Sequence, residues 1–158
     1  MAIRIGDVFE IQLTSQKFVY FQYIGLDITQ LNSEVVRVFK TQYSVGFPDK
    51  DLSQIVTDEV DFYVHTVIKW GLKGGFWKKI GNASLEKELK LPMFRATDDI
   101  GNPAVKVSKK WFIWKMGGDF ISVGLLNDYA HIDLGLVEPA KNILYRIIHG
   151  SYEYPSTR

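Results

Sequence analysis

Hydrophobic and polar positions alternate near the start of the chain and predict three antiparallel strands. Residues 8–13 alternate weakly, residues 17–25 form an aromatic-rich run, and residues 34–40 alternate valines with Arg37 and Phe39. A period of two residues is typical of a strand with one buried face. Short polar segments separate the runs, so the pattern predicts a meander that forms the first half of a curved sheet or small barrel.

The middle of the chain is less regular. Apolar residues at helical spacing predict a short helix over residues 51–57, with Asp49 as its candidate N-cap. Residues 62–68 are apolar on both faces and predict a further strand. A charged stretch then suits a single helical turn capped by Ser84, and residues 92–108 are expected to form a long irregular loop.

Two aromatic-rich runs on either side of Gly117 and Gly118 predict a β-hairpin. Paired glycines suit the positive φ angles of a two-residue turn. Such a turn sets the cross-strand pairs, which would be Trp114 with Ile121, Phe112 with Val123, and Trp111 with Gly124. A large ring over a strand glycine covers backbone that would otherwise be exposed. The hairpin therefore predicts core residues and no binding site.

The clearest helix lies near the C-terminus, after a last strand predicted over residues 131–137. Its apolar stripe has the spacing of one helix face and consists of Ala140, Ile143, Leu144, Ile147 and Ile148. Pro139 suits the first helical position, and Gly150 suits the position after the helix ends. The opposite face, expected to be solvent-exposed, carries Lys141, Asn142 and Arg146. The helix should therefore cover the sheet from one side.

Together these elements predict one α+β domain over residues 1–158, mainly β with minor α. The predicted architecture is a curved antiparallel sheet, or a small partly open barrel, covered by the C-terminal amphipathic helix. Residues 151–158 are expected to form a tail that is tied down by its tyrosines. A chain of 158 residues is long enough to bury a core without disulfides.

Composition and charge exclude some classes. The chain has 19 basic and 18 acidic residues, whereas dedicated nucleic-acid binders usually carry a larger positive excess. It has no cysteine, which excludes disulfides and thiolate metal sites and is compatible with the cytoplasm. No signal peptide is recognisable, and no apolar run approaches the ~20 residues of a spanning helix. We therefore predict a cytoplasmic protein with no membrane contact.

Patterns typical of catalysis or metal binding do not occur in the sequence. The histidines His65, His131 and His149 are far apart, and none forms the local pair typical of metal ligands. No serine lies in a Gly-x-Ser-x-Gly turn. Adjacent acidic residues such as Asp98 and Asp99 suit a solvated loop better than an acid–base pair. The sequence predicts no enzyme activity, no catalytic residue, no metal and no cofactor.

The best binding candidate is the segment from Lys69 to Lys79, in which basic and aromatic residues interleave around glycines. Aromatic side chains stack on nucleic-acid bases and also dominate the hot spots of protein interfaces. The predicted partner-binding residues are Trp70, Phe76, Trp77, Lys78 and Lys79. In the alternative interpretation, Trp77 and Ile80 point into the core and the lysines are ordinary surface residues. The glycine-rich part, residues 71–75, is predicted to be a hairpin loop.

Several segments resemble sequences of a known family. Residues 5–13 (IGDVFEIQL) and 18–24 (FVYFQYI) resemble the first two strands of family 26 of the bacterial immunity proteins of polymorphic toxin systems. Residues 111–115 (WFIWK), 123–125 (VGL) and 135–139 (GLVEP) resemble a Trp-rich hairpin and a final strand and helix of related bacterial proteins. The chain departs from the pattern at Gln12 and Phe21, and residues 52–108 look enlarged.

The resemblance implies a cytoplasmic inhibitor that binds a cognate toxin and occludes its active site or exit path. It carries no functional residue over to this chain. Two other interpretations stay open, namely a β-rich binding or scaffold domain of another kind and a nucleic-acid-binding β module. The predicted partner is therefore a toxin protein, with nucleic acid less favoured, and the sequence leaves the oligomeric state open.

Overall fold

The computed structural model describes residues 2–47 and 51–158, within which the chain forms nine β-strands and three α-helices. The strands are β1 (Asp7–Thr14), β2 (Lys17–Asp27), β3 (Ser33–Phe39), β4 (Val60–Thr66), β5 (Lys78–Asn82), β6 (Met93–Ala96), β7 (Trp111–Lys115), β8 (Ile121–Gly124) and β9 (Asp133–Leu134). The helices are α1 (Leu52–Ile55), α2 (Ile68–Lys73) and α3 (Ala140–His149), with a 3-10 turn at Asn127–Tyr129. The predicted class, mainly β with minor α, is confirmed.

The first sheet contains the predicted meander and has the strand order β4-β3-β2-β1-β5, with every pair antiparallel. Both of its faces are covered. Phe9 and Ile11 of β1 pack in the cluster that α3 covers, whereas Val8 of the same strand packs on the opposite side with Ile55 of α1. Burial of both faces explains why β1 and β2 read as apolar runs with only weak alternation.

The second sheet has the order β8-β7-β6-β9, and β9 runs parallel to β6. The prediction of an irregular loop over residues 92–108 was wrong at Met93–Ala96, which forms β6 and places Phe94 in the core. A strand of four residues is too short to show the two-residue alternation of apolar and polar positions. Pro92, which directly precedes it, is more typical of a loop. The strand predicted over residues 131–137 contracts to two residues. The strands therefore form two open sheets.

The predicted hairpin exists with a different register. Trp111 pairs with Gly124 as expected, but Phe112 pairs with Ser122 and Ile113 pairs with Ile121 because a β-bulge follows Trp111. The connection spans residues 116–120. Its first part is a turn in which Gly118 N–H donates to Lys115 C=O over 2.7 Å and Gly117 has φ +79°. A positive φ at the third residue of a turn requires glycine or a tolerant polar residue.

Two short helical predictions need correction. Helix α1 begins after Asp51, whose carboxylate accepts the Ser53 N–H over 3.0 Å, while the candidate cap Asp49 lies outside the described residues. Ser84 caps no helix, and residues 84–89 form a turn whose Leu85 and Leu89 pack on the second sheet. The hairpin loop predicted over residues 71–75 is instead the end of α2 and the turn that follows it.

Helix α3 covers the first sheet as predicted, and Gly150 follows its last residue with φ +82°. Pro139, predicted at the first helical position, is instead the extended N-cap residue. Ile148, assigned to the buried stripe, is 59% exposed. Arg146, assigned to the solvent face, is largely covered because its guanidinium lies 4.0 Å from the Phe62 ring centroid and 5.0 Å from that of Tyr152. The tail thus folds back over the helix.

A buried carboxylate joins the two sheets. Asp27 Oδ2 accepts hydrogen bonds from His65 Nε2 and Trp114 Nε1, each over 2.8 Å, and Oδ1 accepts the Gly117 N–H over 2.9 Å. Asp27 and His65 belong to the first sheet, whereas Trp114 and Gly117 belong to the second sheet and its turn. Burial lowers the pKa of His65 although Asp27 raises it, so the imidazole is neutral at pH 7.

Candidate functional site

The five predicted partner-binding residues do not share one surface. Trp70 in α2 is 60% exposed, and Phe76 is 38% exposed. The side chain of Lys78 is 68% exposed, whereas that of Lys79 is 19% exposed. Trp77 is only 4% exposed. Helix α2 and the turn after it therefore present Trp70 and Phe76 outward while β5 holds the two lysines.

Trp77 belongs to the core, which corrects its assignment to the binding surface. Its Nε1 donates to the Ile68 carbonyl over 3.1 Å, and its ring meets Phe21 edge-on with a centroid distance of 4.9 Å. Gly71 of α2 makes room for the indole, since a Cβ at that position would overlap the ring. Trp77 thus fixes α2 to the first sheet and positions the exposed face of that helix.

The two lysines of β5 neutralise buried carboxylates. Lys79 Nζ lies 3.1 Å from Asp7 Oδ1, and Lys78 Nζ lies 3.4 Å from Glu10 Oε1. Burial raises the pKa of Asp7, but hydrogen bonds from Asn82 and a backbone N–H, together with Lys79, lower it on balance. Lys79 is therefore a structural residue. Lys78 remains accessible at the edge of the sheet.

Trp70 and Phe76 line an apolar groove of about 450 Å³ together with residues from the end of the chain. The second wall consists of residues 137–141, and Val137 is 42% exposed. Sequence reasoning missed this wall because it lies more than sixty residues from Trp70 along the chain. We call this feature, defined by Trp70, Phe76 and residues 137–141, the aromatic groove.

Backbone pairing brings the two walls together. Val137 forms a parallel bridge with His65, and the Glu138 N–H donates to the His65 carbonyl over 2.8 Å. The Thr66 hydroxyl donates to the Glu138 carbonyl over 2.7 Å. Residues 65–66 end β4 immediately before α2, so this pairing sets the groove at the junction of the first sheet, α2 and α3.

Three exposed lysines lie on or beside the aromatic groove. Lys69 and Lys73 place their ammonium groups 5.5 and 5.2 Å from the Trp70 ring centroid, and Lys141 lines the opposite wall. Glu138 also lines the groove, but it is 4% exposed and accepts hydrogen bonds from Tyr154 and Asn142. The groove thus offers apolar surface with a cationic rim.

Within residues 2–47 and 51–158, no group of three or more histidine, cysteine or acidic side chains is arranged to hold a metal ion. In the same residues, none of the helices is both long enough and apolar enough to pass through a bilayer.

Two open sheets, an amphipathic covering helix and an exposed aromatic groove define an α+β protein with a surface suited to binding another molecule. Comparison with known families is specific: the chain belongs to the family described as Immunity protein 26, whose sequence profile matches residues 4–106. The match includes residues 5–13 and 18–24, which carry the first part of the resemblance, and the first wall of the groove. It ends before residues 111–115, 123–125 and 135–139, which carry the second part, and before the second wall of the groove. No curated protein and no solved structure matches the chain.

Proposed function

We propose that this protein is an immunity protein that binds a cognate toxin in the bacterial cytoplasm and neutralises it by occlusion. The observation that carries the proposal is the family membership of residues 4–106 combined with an exposed aromatic groove whose first wall lies within those residues. Membership in an immunity family favours a binding role over a catalytic one.

The aromatic groove is the proposed contact surface. Tryptophan is among the residues most enriched in interface hot spots, and such residues lie in apolar pockets from which water is excluded on binding. Trp70 has its ring in solvent while Trp77 anchors the same segment in the core. The contact residue is therefore held on a rigid support, which reduces the entropy lost on binding. Phe76 and Val137 supply the apolar surroundings.

The cationic rim indicates the chemistry of the toxin segment that occupies the groove. Lys69, Lys73 and Lys141 carry positive charges, and Glu138, the acidic residue among the described residues that line the groove, is buried. Complementary charges speed association and select partners. The proposed occupant is accordingly a segment with an apolar side chain at its centre and aspartate or glutamate residues beside it.

Growth rescue tests this proposal. A candidate toxin domain, sought in the gene adjacent to this one, is expressed from an inducible promoter with or without this protein, and growth is measured. The wild-type protein should restore growth, and the purified pair should form a complex. Trp70→Ala should weaken that complex by about 2 kcal/mol, roughly thirtyfold in Kd. Phe120→Ala is the matched control, because Phe120 is 57% exposed and lies outside the groove.

Failure of the wild-type protein to restore growth or to bind would contradict the proposed function. Rescue that is retained by Trp70→Ala, with unchanged affinity, would instead contradict the proposed surface. Charge reversal by Lys73→Glu should mainly slow association and should matter less as salt is raised. The same protein titrated with single-stranded oligonucleotides tests the nucleic-acid alternative, since that binding must weaken steeply with salt.

A further inference from the structure

A second cavity, separate from the aromatic groove, lies between the second sheet, the end of α3 and the tail. It has a volume of about 230 Å³ and is lined by two arginines, Arg95 of β6 and Arg146 of α3. Asp133 of β9 is the acidic residue in the lining. Two guanidinium groups therefore face one carboxylate in the lining, and a second carboxylate, that of buried Glu138, accepts the hydroxyl of the lining residue Tyr154 over 2.8 Å.

Two buried donors of this cavity are without a partner. Arg95 Nε donates to the Ile132 carbonyl over 2.7 Å, but its buried Nη1 has no hydrogen-bond partner among the described residues. The buried Tyr152 hydroxyl likewise has no acceptor for its proton among the described residues, since its neighbour Arg146, whose guanidinium lies over its ring, can only donate to its oxygen. Buried polar groups are paired in the great majority of cases, so two unpaired donors beside one cavity need an explanation.

The remaining contacts hold the arginines in place without saturating them. The Arg95 guanidinium lies 4.9 Å from the Trp111 ring centroid, and Arg146 Nη2 donates to Asp133 Oδ1 over 3.0 Å. A guanidinium has five N–H donors, so both arginines keep donors for a further acceptor. Burial raises the pKa of Tyr152, so its hydroxyl keeps its proton and remains a donor.

We infer that this cavity binds a small oxyanion, a carboxylate or a phosphate group carried by a small molecule. The oxygens of such a group accept hydrogen bonds from an arginine guanidinium with favourable geometry. A charge-assisted hydrogen bond in a buried site is stronger than one between neutral groups. The volume is below the 300–1,000 Å³ common for drug-sized ligands, which limits the ligand to a small molecule. The tail forms one wall, with Ser156 and Thr157 adding hydroxyl groups.

The test uses the whole purified chain and two probes, inorganic phosphate and acetate, with chloride at equal ionic strength as reference. The melting temperature and calorimetric titration are measured for each. A ligand that binds the native state raises the melting temperature in a saturable way. A salt that is only excluded from the protein surface also raises the melting temperature, but this increase does not saturate with concentration. Binding of phosphate alone assigns a phosphate ligand, and binding of acetate alone assigns a carboxylate.

Two variants and one control make the result specific. Tyr152→Phe removes the unpaired hydroxyl and keeps the ring on Arg146, whereas Arg95→Gln removes the charge. Each should weaken anion binding about tenfold, the effect of losing one hydrogen bond to a charged group. Lys110→Gln removes an exposed charge outside the cavity and should bind like the wild type. The inference is overturned if neither probe exceeds chloride, or if both cavity variants bind as well as the wild type.

Discussion

His65 Nε2 lies 2.8 Å from Asp27 Oδ2, and both side chains are fully buried. The Asp27 carboxylate can only accept a hydrogen bond, so the neutral His65 imidazole carries its proton on Nε2. Its Nδ1 has no hydrogen-bond partner within the described residues. The same Asp27 oxygen accepts from Trp114, which makes this carboxylate the polar connection between the two sheets.

Replacement of Asp27 tests that connection. Asp27→Ala leaves His65, the Trp114 indole and the Gly117 N–H without their acceptor, and each was bonded to a charged group. We expect the free energy of unfolding to fall by at least about 3 kcal/mol, since several buried donors lose their partner together. Urea unfolding, monitored by tryptophan fluorescence, measures this free energy. Asp98→Ala is the control, and a loss no larger than that control's would contradict the role of Asp27.

The pKa of His65 predicts the pH dependence of stability. Because its pKa in the folded state is lowered, the unfolded state binds the proton more readily. The neutral imidazole contributes fully to the free energy of unfolding at pH values above 6.5, the pKa of histidine in the unfolded chain. This contribution is lost as the pH falls from 6.5 through the lower pKa of His65 in the folded state. Hydrogen bonding to Arg37 lowers the pKa of Glu86, so that group affects stability only below its ordinary value of 4.5.

We therefore expect the urea midpoint to decrease between pH 7.5 and pH 5. The His65→Gln variant should lose most of this slope, whereas His149→Gln, which changes an exposed residue, should keep it. A slope that is unchanged in His65→Gln would show that another group titrates in this range.

The two tryptophans of the Lys69–Lys79 segment should respond differently to truncation. Trp77→Ala removes a buried ring packed on Phe21 and should cost about 3–5 kcal/mol. Trp70→Ala removes an exposed ring and should change the free energy of unfolding by less than about 1 kcal/mol. Gly71→Ala should also destabilise, because its Cβ would overlap the Trp77 indole. Thermal melts of the three variants measure these changes in stability. A similar loss of stability for Trp70→Ala and Trp77→Ala would be inconsistent with the structure.

The tail is held by a hydrogen bond whose removal is measurable. Tyr154 donates its hydroxyl to Glu138 Oε1 over 2.8 Å, and Glu138 is 4% exposed. Burial and Glu138 raise the pKa of Tyr154, so the hydroxyl stays protonated. Tyr154→Phe leaves the buried carboxylate with one donor fewer and should cost about 1–3 kcal/mol. Tyr129→Phe, which changes a half-buried tyrosine elsewhere, should have little effect in the same chemical denaturation.

Local patterns account for the parts of the fold that the sequence predicts well. Helix α3 was predicted because its apolar stripe lies within ten residues, and the first three strands were predicted because each shows its apolar or alternating pattern within one short segment. The hairpin register failed beyond Trp111, since one bulge shifts all later pairs by a residue. Strand β6 was missed because its partners on both sides come later in the chain.

The candidate site was only half predictable. Interleaved lysines and aromatics look the same whether a given ring is exposed or buried, so Trp70 and Trp77 could not be separated. Gly71, placed six residues before Trp77 and filled by its ring, was the signal available in retrospect. The second wall of the aromatic groove and the cavity between Arg95 and Arg146 depend on pairing between distant segments. No local pattern carries that information.

The two-part construction of the aromatic groove has a consequence for synthesis of the protein. Its first wall, with Trp70 and Phe76, leaves the ribosome long before residues 137–141, which supply the second wall. Chains fold from the N-terminal side as they emerge, and the parallel pairing of His65 with Val137 must wait for the last part of the chain. A nascent chain therefore carries half a groove, and under the proposed function protection of the cell begins only after residues 137–141 have been made and paired.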